Sequence, residues 1–281
     1  MRMPPAVIVA CAVIAAVTAF AQSTPTRDQV QGAITKALKG PADLDAYLAT
    51  LPQIEGYYLT EGDLLRTKDE VAENFERLRA QPRRVTSHEL TVNLTDTGDD
   101  IWPRDRRALT YSIDRASFAS SEQANEALAD VSKAASEWAH ACGTRCGVTF
   151  TFKESQTPSP TDVTFVIRAF DSHGRYVAAS FFPSWAPARR FLNIDPSFFT
   201  LQKPLTGRGV MRHELGHVLG YRHEHLQGVP GCYEEDGAWR RVVPYSPTSV
   251  MHYLCGGRGS PQLALQPSDR RGHRLLYGRQ S

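Results

Sequence analysis

The chain has 281 residues, of which 41% are hydrophobic and 22% charged, and its formal net charge at pH 7 is +2. That length leaves room for one or two domains, and that composition is ordinary for a soluble globular protein. So small a net charge excludes recognition of nucleic acid or of a membrane surface by bulk electrostatics.

In chain order, Arg2 precedes an apolar run from Ala6 to Phe20, and Ala19-Phe20-Ala21 has the small-x-small form of a signal-peptidase site. Residues 1–21 therefore read as a signal peptide, implying a secreted (extracellular or periplasmic) protein with no stable membrane span after its removal. The run is too short to span a bilayer, and its part before Cys11 is too short for a lipoprotein signal. Residues 22–98 are polar and lack cysteine, a pattern assigned to a pro-segment or N-terminal accessory region. Helical patterns cover Gln29 to Lys39 and Lys68 to Arg79, the second with Val71, Phe75 and Leu78 on one stripe. Between them, Glu61-Gly62-Asp63 reads as a turn linking two strands.

Residues 99–281 have α+β texture. Leu109, Tyr111 and Ile113 alternate as a strand, and Ser121-Glu122 opens a helix with Ala124, Leu128, Val131, Ala135 and Trp138 on one stripe. Trp138 is assigned to the core. Val148, Phe150 and Phe152, then Val163, Phe165 and Ile167, predict two more strands. The stretch to Asp195 carries the rest of the sheet. A helix begins near Gly207, and after His223 little regular structure is expected before a short final helix near Ser268 to Tyr277.

The helix near Gly207 carries His213-Glu214-Leu215-Gly216-His217-Val218-Leu219-Gly220-Tyr221-Arg222-His223-Glu224. Residues four apart on a helix lie about 40° apart around the axis and about 6 Å along it, so His213 and His217 share a face. Glu214 lies about 100° round the same helix, placed to reach a metal-bound water without displacing it. His223 joins the pair only if the chain turns first, and Gly220 supplies the positive φ that such a turn needs. Three imidazoles with an open fourth position make a catalytic zinc site. Val210, Leu215, Val218 and Leu219 give the helix its core face.

This segment resembles the metzincin clan of zinc endopeptidases, and Glu224 after the third His is similar to the astacin branch. Ser249-Val250-Met251-His252-Tyr253 resembles the astacin Met-turn, which implies that Met251 lies beneath the metal and that Tyr253 is a switchable ligand stabilising the transition state. Ile101-Trp102-Pro103 with Leu109 to Ile113 resembles the start of an astacin catalytic domain. Val177 to Pro183, then Phe191 to Asp195, resemble the matrixin edge strand and the strand after it. Leu226-Gln227-Gly228-Val229-Pro230 lacks the Arg- and Asp-rich run of astacins, so the resemblance is to a bacterial-type, astacin-like or matrixin-like metzincin. It implies a twisted mixed sheet, a backing helix, an active-site helix and an irregular C-terminal subdomain. Gly62-Asp63 also resembles the astacin pro-segment motif whose aspartate ligates zinc in the zymogen. With no thiol in the segment, a matrixin-type cysteine switch is excluded.

The expectation is a secreted endopeptidase with one catalytic Zn(II) on His213, His217 and His223, Glu214 as general base, and Tyr253 on the oxyanion. Its partners are protein or peptide substrates bound in extended form, antiparallel to the edge strand near Val177 to Phe182. The alternatives are a catalytically silent binding protein on the same zinc fold, or a zinc hydrolase of non-peptide substrates. Among other histidines, His140 and His173 are expected at the surface, His88 in the pro-segment, and His225 and His252 flanking the site without ligating. Cys142, Cys146, Cys232 and Cys255 allow three pairings, of which local closure favours Cys142–Cys146 and Cys232–Cys255. The second bridge is worth about 3 kcal/mol in the loop-entropy picture.

Overall fold

The computed structural model describes residues 44–80, 89–227, 229–230, 232 and 239–278. The signal peptide over 1–21, the helical pattern at 29–39, His88 and the side chain of Leu78 lie outside the described part. No helix among the described residues is long and apolar enough to cross a membrane.

The elements run α1 (Leu44–Leu48), β1 (Gln53–Ile54), β2 (Tyr57–Thr60), β3 (Leu64–Arg66), α2 (Lys68–Ala80), β4 (Glu89–Thr95), β5 (Gly98–Asp99), β6 (Ala108–Ile113), α3 (Ser121–Ala139) and β7 (Ala141–Thr144). There follow β8 (Thr149–Phe152), β9 (Phe165–Ala169), β10 (Ala178–Ala179), β11 (Phe191–Ile194), α4 (Gly207–Val218), β12 (Tyr221–Arg222), β13 (Trp239–Pro244) and α5 (Pro267–Tyr277). This is the mixed α+β architecture expected.

β1, β2 and β3 form a small antiparallel sheet. α2 starts on a reciprocal cap: the Glu70 amide donates to the Thr67 hydroxyl, and the Thr67 amide to the Glu70 carboxylate. Its Val71 and Phe75 pack on Tyr47 and Leu48 of α1, so the stripe predicted over Lys68 to Arg79 buries a local core.

The main sheet has the order β10-β11-β9-β6-β8, parallel throughout except at the β10–β11 edge. β9 sits at its centre, which is why Phe165, Val166 and Ile167 are all buried rather than alternating. The strand begins at Phe165, leaving Val163 in the turn before it. α3 backs this sheet. Ser120 caps it by accepting from the Gln123 amide, and Ala124, Ala127, Val131, Ala134, Ala135 and Trp138 face inward. Trp138 lies in the core, as expected, with its indole N–H donating to the Arg212 carbonyl.

A second, antiparallel sheet has the order β12-β4-β13, with β5 pairing β4. β4 comes from the polar N-terminal third of the chain, yet its Leu90 and Val92 belong to the main core. Burying two such side chains contributes about 1.5–3 kcal/mol each. β13 departs from the expectation of irregular chain after His223. Its Trp-Arg-Arg-Val-Val-Pro run has no apolar alternation and meets β4 through a register shift between Arg241 and Val243, so long-range pairing forms it. Disulfides join Cys142–Cys146 and Cys232–Cys255, with Cα separations of 6.1 and 5.0 Å, the two pairs that local closure favours.

His273 on α5 is buried against Trp138, Tyr221 and Tyr277, with Nδ1 2.8 Å from the Tyr221 hydroxyl. Burial, helped by the charge of Arg107, lowers its pKa to about 3, against about 6.5 for an exposed imidazole. Between those values the unfolded chain binds a proton that the folded chain refuses, so His273 removes stability as pH falls below 6.5. We expect His273→Gln to lessen the acid loss, relative to wild type, by about 1.4 kcal/mol per pH unit below 6.5 in urea titrations at pH 7, 6 and 5. Superimposable acid limbs would mean that the folded chain protonates His273 freely.

Candidate metal centre

The centre is built on α4. Thr206 caps the helix by accepting from the Gly209 amide, and His213 and His217, one turn apart, point to the same side. The helix ends where the Gly220 amide donates to the His217 carbonyl. Gly220 has φ +89, and a Cβ there would collide with the Asp100 carbonyl. Only glycine makes this turn, which delivers β12 and brings His223 back to the pair. Met251 lies under the helix, its sulfur filling the space that a side chain at position 216 would need.

Two backbone carbonyls set the state of the imidazoles. His213 Nδ1 lies 2.8 Å from the Val250 carbonyl and His217 Nδ1 lies 2.8 Å from the Tyr221 carbonyl. A carbonyl only accepts, so each Nδ1 carries a proton, and in that tautomer the ring offers its lone pair at Nε2. The Nε2 atoms converge: His223 Nε2 stands 3.0 Å from His213 Nε2 and 3.1 Å from His217 Nε2.

The fourth member is Asp63. Glu61-Gly62-Asp63 is the tip of the β2–β3 hairpin, with Thr60 opposite Leu64. Glu61 and Gly62 take successive positive φ values of 58 and 90, and a Cβ on Gly62 would stand 2.9 Å from the Tyr253 hydroxyl oxygen. The tight turn carries Asp63 Oδ2 to 2.9, 3.3 and 3.4 Å from the Nε2 atoms of His223, His213 and His217. The turn and the aspartate's approach to the histidines are thus one feature.

These four buried groups can hold a metal ion, their ligand atoms lying within 4.8 Å of one another. Ligands at 2.0–2.1 Å from a tetrahedral ion are about 3.3–3.4 Å apart; the separations above run from 2.9 to 3.4 Å, at or a little inside that spacing. The donor chemistry matches too. Burial pushes Asp63 up, but the neighbouring His223 and His217, with His213, hold it well below the usual carboxylate range. Burial lowers His217 to about 4. A carboxylate facing three imidazole nitrogens across so short a gap is a donor set that a cation satisfies.

Glu214 follows His213 and is buried, and its Oε2 has no hydrogen-bond partner among the described residues. Burial, then the charge of Asp63, pushes its carboxyl well above the usual range. Tyr253 stacks on His213 and packs tilted against His223, and its hydroxyl donates to Asp63 Oδ2 and lies 3.1 Å from the Glu61 carbonyl. All five residues predicted for the site are therefore together. His225 stacks on His223, and His252 bonds Tyr245 and the Tyr253 carbonyl, so both flank the centre as expected. His140 and His173 are exposed. Glu224 accepts from the Ser246 amide and donates its own amide to the Met251 carbonyl, tying the helix exit to the Met251 turn. Two further groupings with metal-site spacing, Cys142-Cys146-His273 and His225-His252-Cys255, contain cysteines committed to disulfides.

The hairpin is held by more than its aspartate. The Ser180 amide donates to the Asp63 carbonyl, and Leu64 bridges Ser180 in parallel sense at the β10 edge. Ile54, Leu59 and Leu65 pack on Tyr176 and Ala179. Arg189 bonds the Leu65 carbonyl and the Glu70 carboxylate. Glu61 forms a buried ion pair with Arg222, a contact between residues 161 positions apart that no local pattern announces.

Metal analysis after dialysis tests the ligand set. We expect one divalent ion per full-length chain and substoichiometric metal in His223→Ala, which keeps only part of the donor set. Stoichiometric metal in that variant under the same dialysis would show that His223 is not a ligand.

No family model matches the chain, and no curated protein matches it. Among solved structures it is similar to one described as the structure of myroilysin, at 18% identity and a TM-score of 0.46, over 68% of this chain and 100% of that one. Function therefore rests on the site's own chemistry.

Proposed function

We propose that the chain is a secreted zinc-dependent endopeptidase made in latent form. The observation that carries this reading is the convergence of three imidazole Nε2 atoms, together with a buried Glu214 whose Oε2 has no hydrogen-bond partner among the described residues. Zinc bound by His213, His217 and His223 supplies a Lewis acid that acidifies water and polarises the scissile carbonyl. Glu214 takes the proton of the attacking water and returns it to the leaving amine. Tyr253, released from Asp63, turns its O–H to the developing oxyanion. The outer edge of β10, where Ser180 now donates to the Asp63 carbonyl, binds an extended substrate through the main chain.

Latency on this reading comes from the hairpin tip. Asp63 fills the ligand position that hydrolysis needs, and β3 covers the β10 edge. The removable piece ends before Glu89, because β4 pairs with β12 and β13, its Leu90 and Val92 lie in the core, and its Asn93 amide bonds the Gly220 carbonyl. Residues 1–21 act as the signal peptide, and two disulfides suit an oxidising compartment.

A fluorogenic peptide assay with chelation and zinc add-back tests the function. We expect activity to vanish with chelator and return with zinc; a zinc-loaded, processed chain that cleaves no peptide would leave a binding protein or a hydrolase of other substrates. Glu214→Gln should keep its zinc while turnover falls about 10²–10⁴-fold. Asp63→Ala should make the uncut chain hydrolyse peptide well above uncut wild type. Equal rates for those two uncut chains would reduce the hairpin to a folding aid.

A further inference from the structure

The hairpin contacts described above lie between Gln53 and Glu70, and α2 runs on to Ala80 before the chain reaches the stretch where it would be cut. Resting on the peptidase function above, we infer that a cut after Ala80 leaves the centre closed, because the segment ending there stays seated as a separate polypeptide. The segment thus has an activity of its own: it is a dissociable inhibitor of the body it was cut from and of any second copy.

The seat is gripped along its length. At the tip the Ser180 amide donates to the Asp63 carbonyl, and at the start of β1 Arg175 Nη1 donates to the Gln53 carbonyl at 3.1 Å. Arg189 donates from Nη2 to the Leu65 carbonyl at 2.6 Å and from Nη1 to the Glu70 carboxylate at 2.9 Å, and its guanidinium lies 4.7 Å over the Tyr57 ring. Between these points Ile54, Leu59 and Leu65, only 3, 7 and 5% exposed, are buried on Tyr176 and Ala179. Departure returns that apolar surface to water and takes Asp63 from the three histidines.

The segment also keeps its shape without the link. Val71 and Phe75 of α2 pack on Tyr47 and Leu48 of α1, and β1, β2 and β3 bond one another. A hairpin that is formed before it docks needs little further ordering. Tethering holds such a group at an effective concentration of about millimolar; a cut replaces that with the bulk concentration and alters none of the contacts above. Opening therefore follows dilution, or destruction of the segment, and not the cut itself.

The test uses the full chain with a specific-protease site inserted between Ala80 and Glu89, folded with zinc and cut to completion. The Glu214→Gln chain lacks the general base and so spares its own segment. Size-exclusion chromatography of that cut chain at about 10 μM should return segment and body in one peak, as a Kd near or below about 0.1 μM requires. In freshly cut wild type, peptide hydrolysis per molecule should rise at least about tenfold between about 10 μM and about 1 nM, the ratio that mass action gives for this Kd. It should appear with a lag as the segment leaves. Cut Leu65→Ala, with less apolar surface in the seat, should open at concentrations at least about tenfold higher; if it fails to fold, the wild-type dilution series decides alone. Separate peaks, with full hydrolysis that does not depend on concentration, overturn the inference. One peak with full hydrolysis at the higher concentration overturns it too, since the segment would then sit away from the centre. Absence of hydrolysis at every dilution, with the segment gone from the body, is a failure of the peptidase reading instead, and chromatography then decides the seat alone.

Discussion

Two hydrogen bonds from imidazole Nδ1 to main-chain carbonyls organise this molecule. The Val250 carbonyl that orients His213 belongs to the turn holding Met251, and the Tyr221 carbonyl that orients His217 belongs to the strand after Gly220. Each bond fixes a tautomer, so each ring offers its lone pair at Nε2. The helix, its glycine exit and the Met251 turn are thereby referred to one another. The Met251 turn is itself anchored by Asp269, which accepts from the Ser249 hydroxyl and the Val250 amide. The final helix thus supports the ligands through a chain of hydrogen bonds in the protein interior, where such bonds are strongest.

Local physics made much of this legible. A four-residue spacing and one glycine where the helix must stop pointed to His213, Glu214, His217 and His223, whereas Tyr253 was reached only through the resemblance of Ser249 to Tyr253 to a Met-turn. The glycine reading is borne out by the positive φ at Gly220 and by the Asp100 carbonyl packed against it. Alternation found β6, and the three- and four-residue stripe found α3. Both disulfides followed from closing short loops. What stayed hidden depends on partners far away in the chain. β13 exists because β4 pairs with it, and its own residues show no period. The membership of residues 89–95 in the core could not be read from a segment whose neighbours are polar. His273 lies on a short amphipathic helix, where an exposed imidazole and a buried one have the same sequence signature.

The Glu61-Gly62-Asp63 turn shows that two readings of a motif need not compete. As a loop between antiparallel strands it needs residues that accept positive φ, and it has them at two successive positions. As the residue after that loop, Asp63 is carried into a space too narrow for any chain with a Cβ at position 62. One glycine therefore serves both the hairpin's geometry and its approach to Tyr253. The same tip brings Glu61 to Arg222, so three adjacent residues meet different groups: an arginine, a tyrosine and the three histidines.

The position of β4 bears on how the centre comes into being. Its Thr91 hydroxyl meets the Arg222 and His223 carbonyls across 131 and 132 residues of chain. The first two imidazoles share one turn of helix and can be aligned by local structure alone. The third is held by a strand pairing that closes a very long loop, an entropic cost met before any contact rewards it. Pairings of that kind dominate the slow, high contact-order part of a folding reaction. A motif written within eleven consecutive residues is therefore completed as a site only when strands 131 residues apart in the chain have found each other.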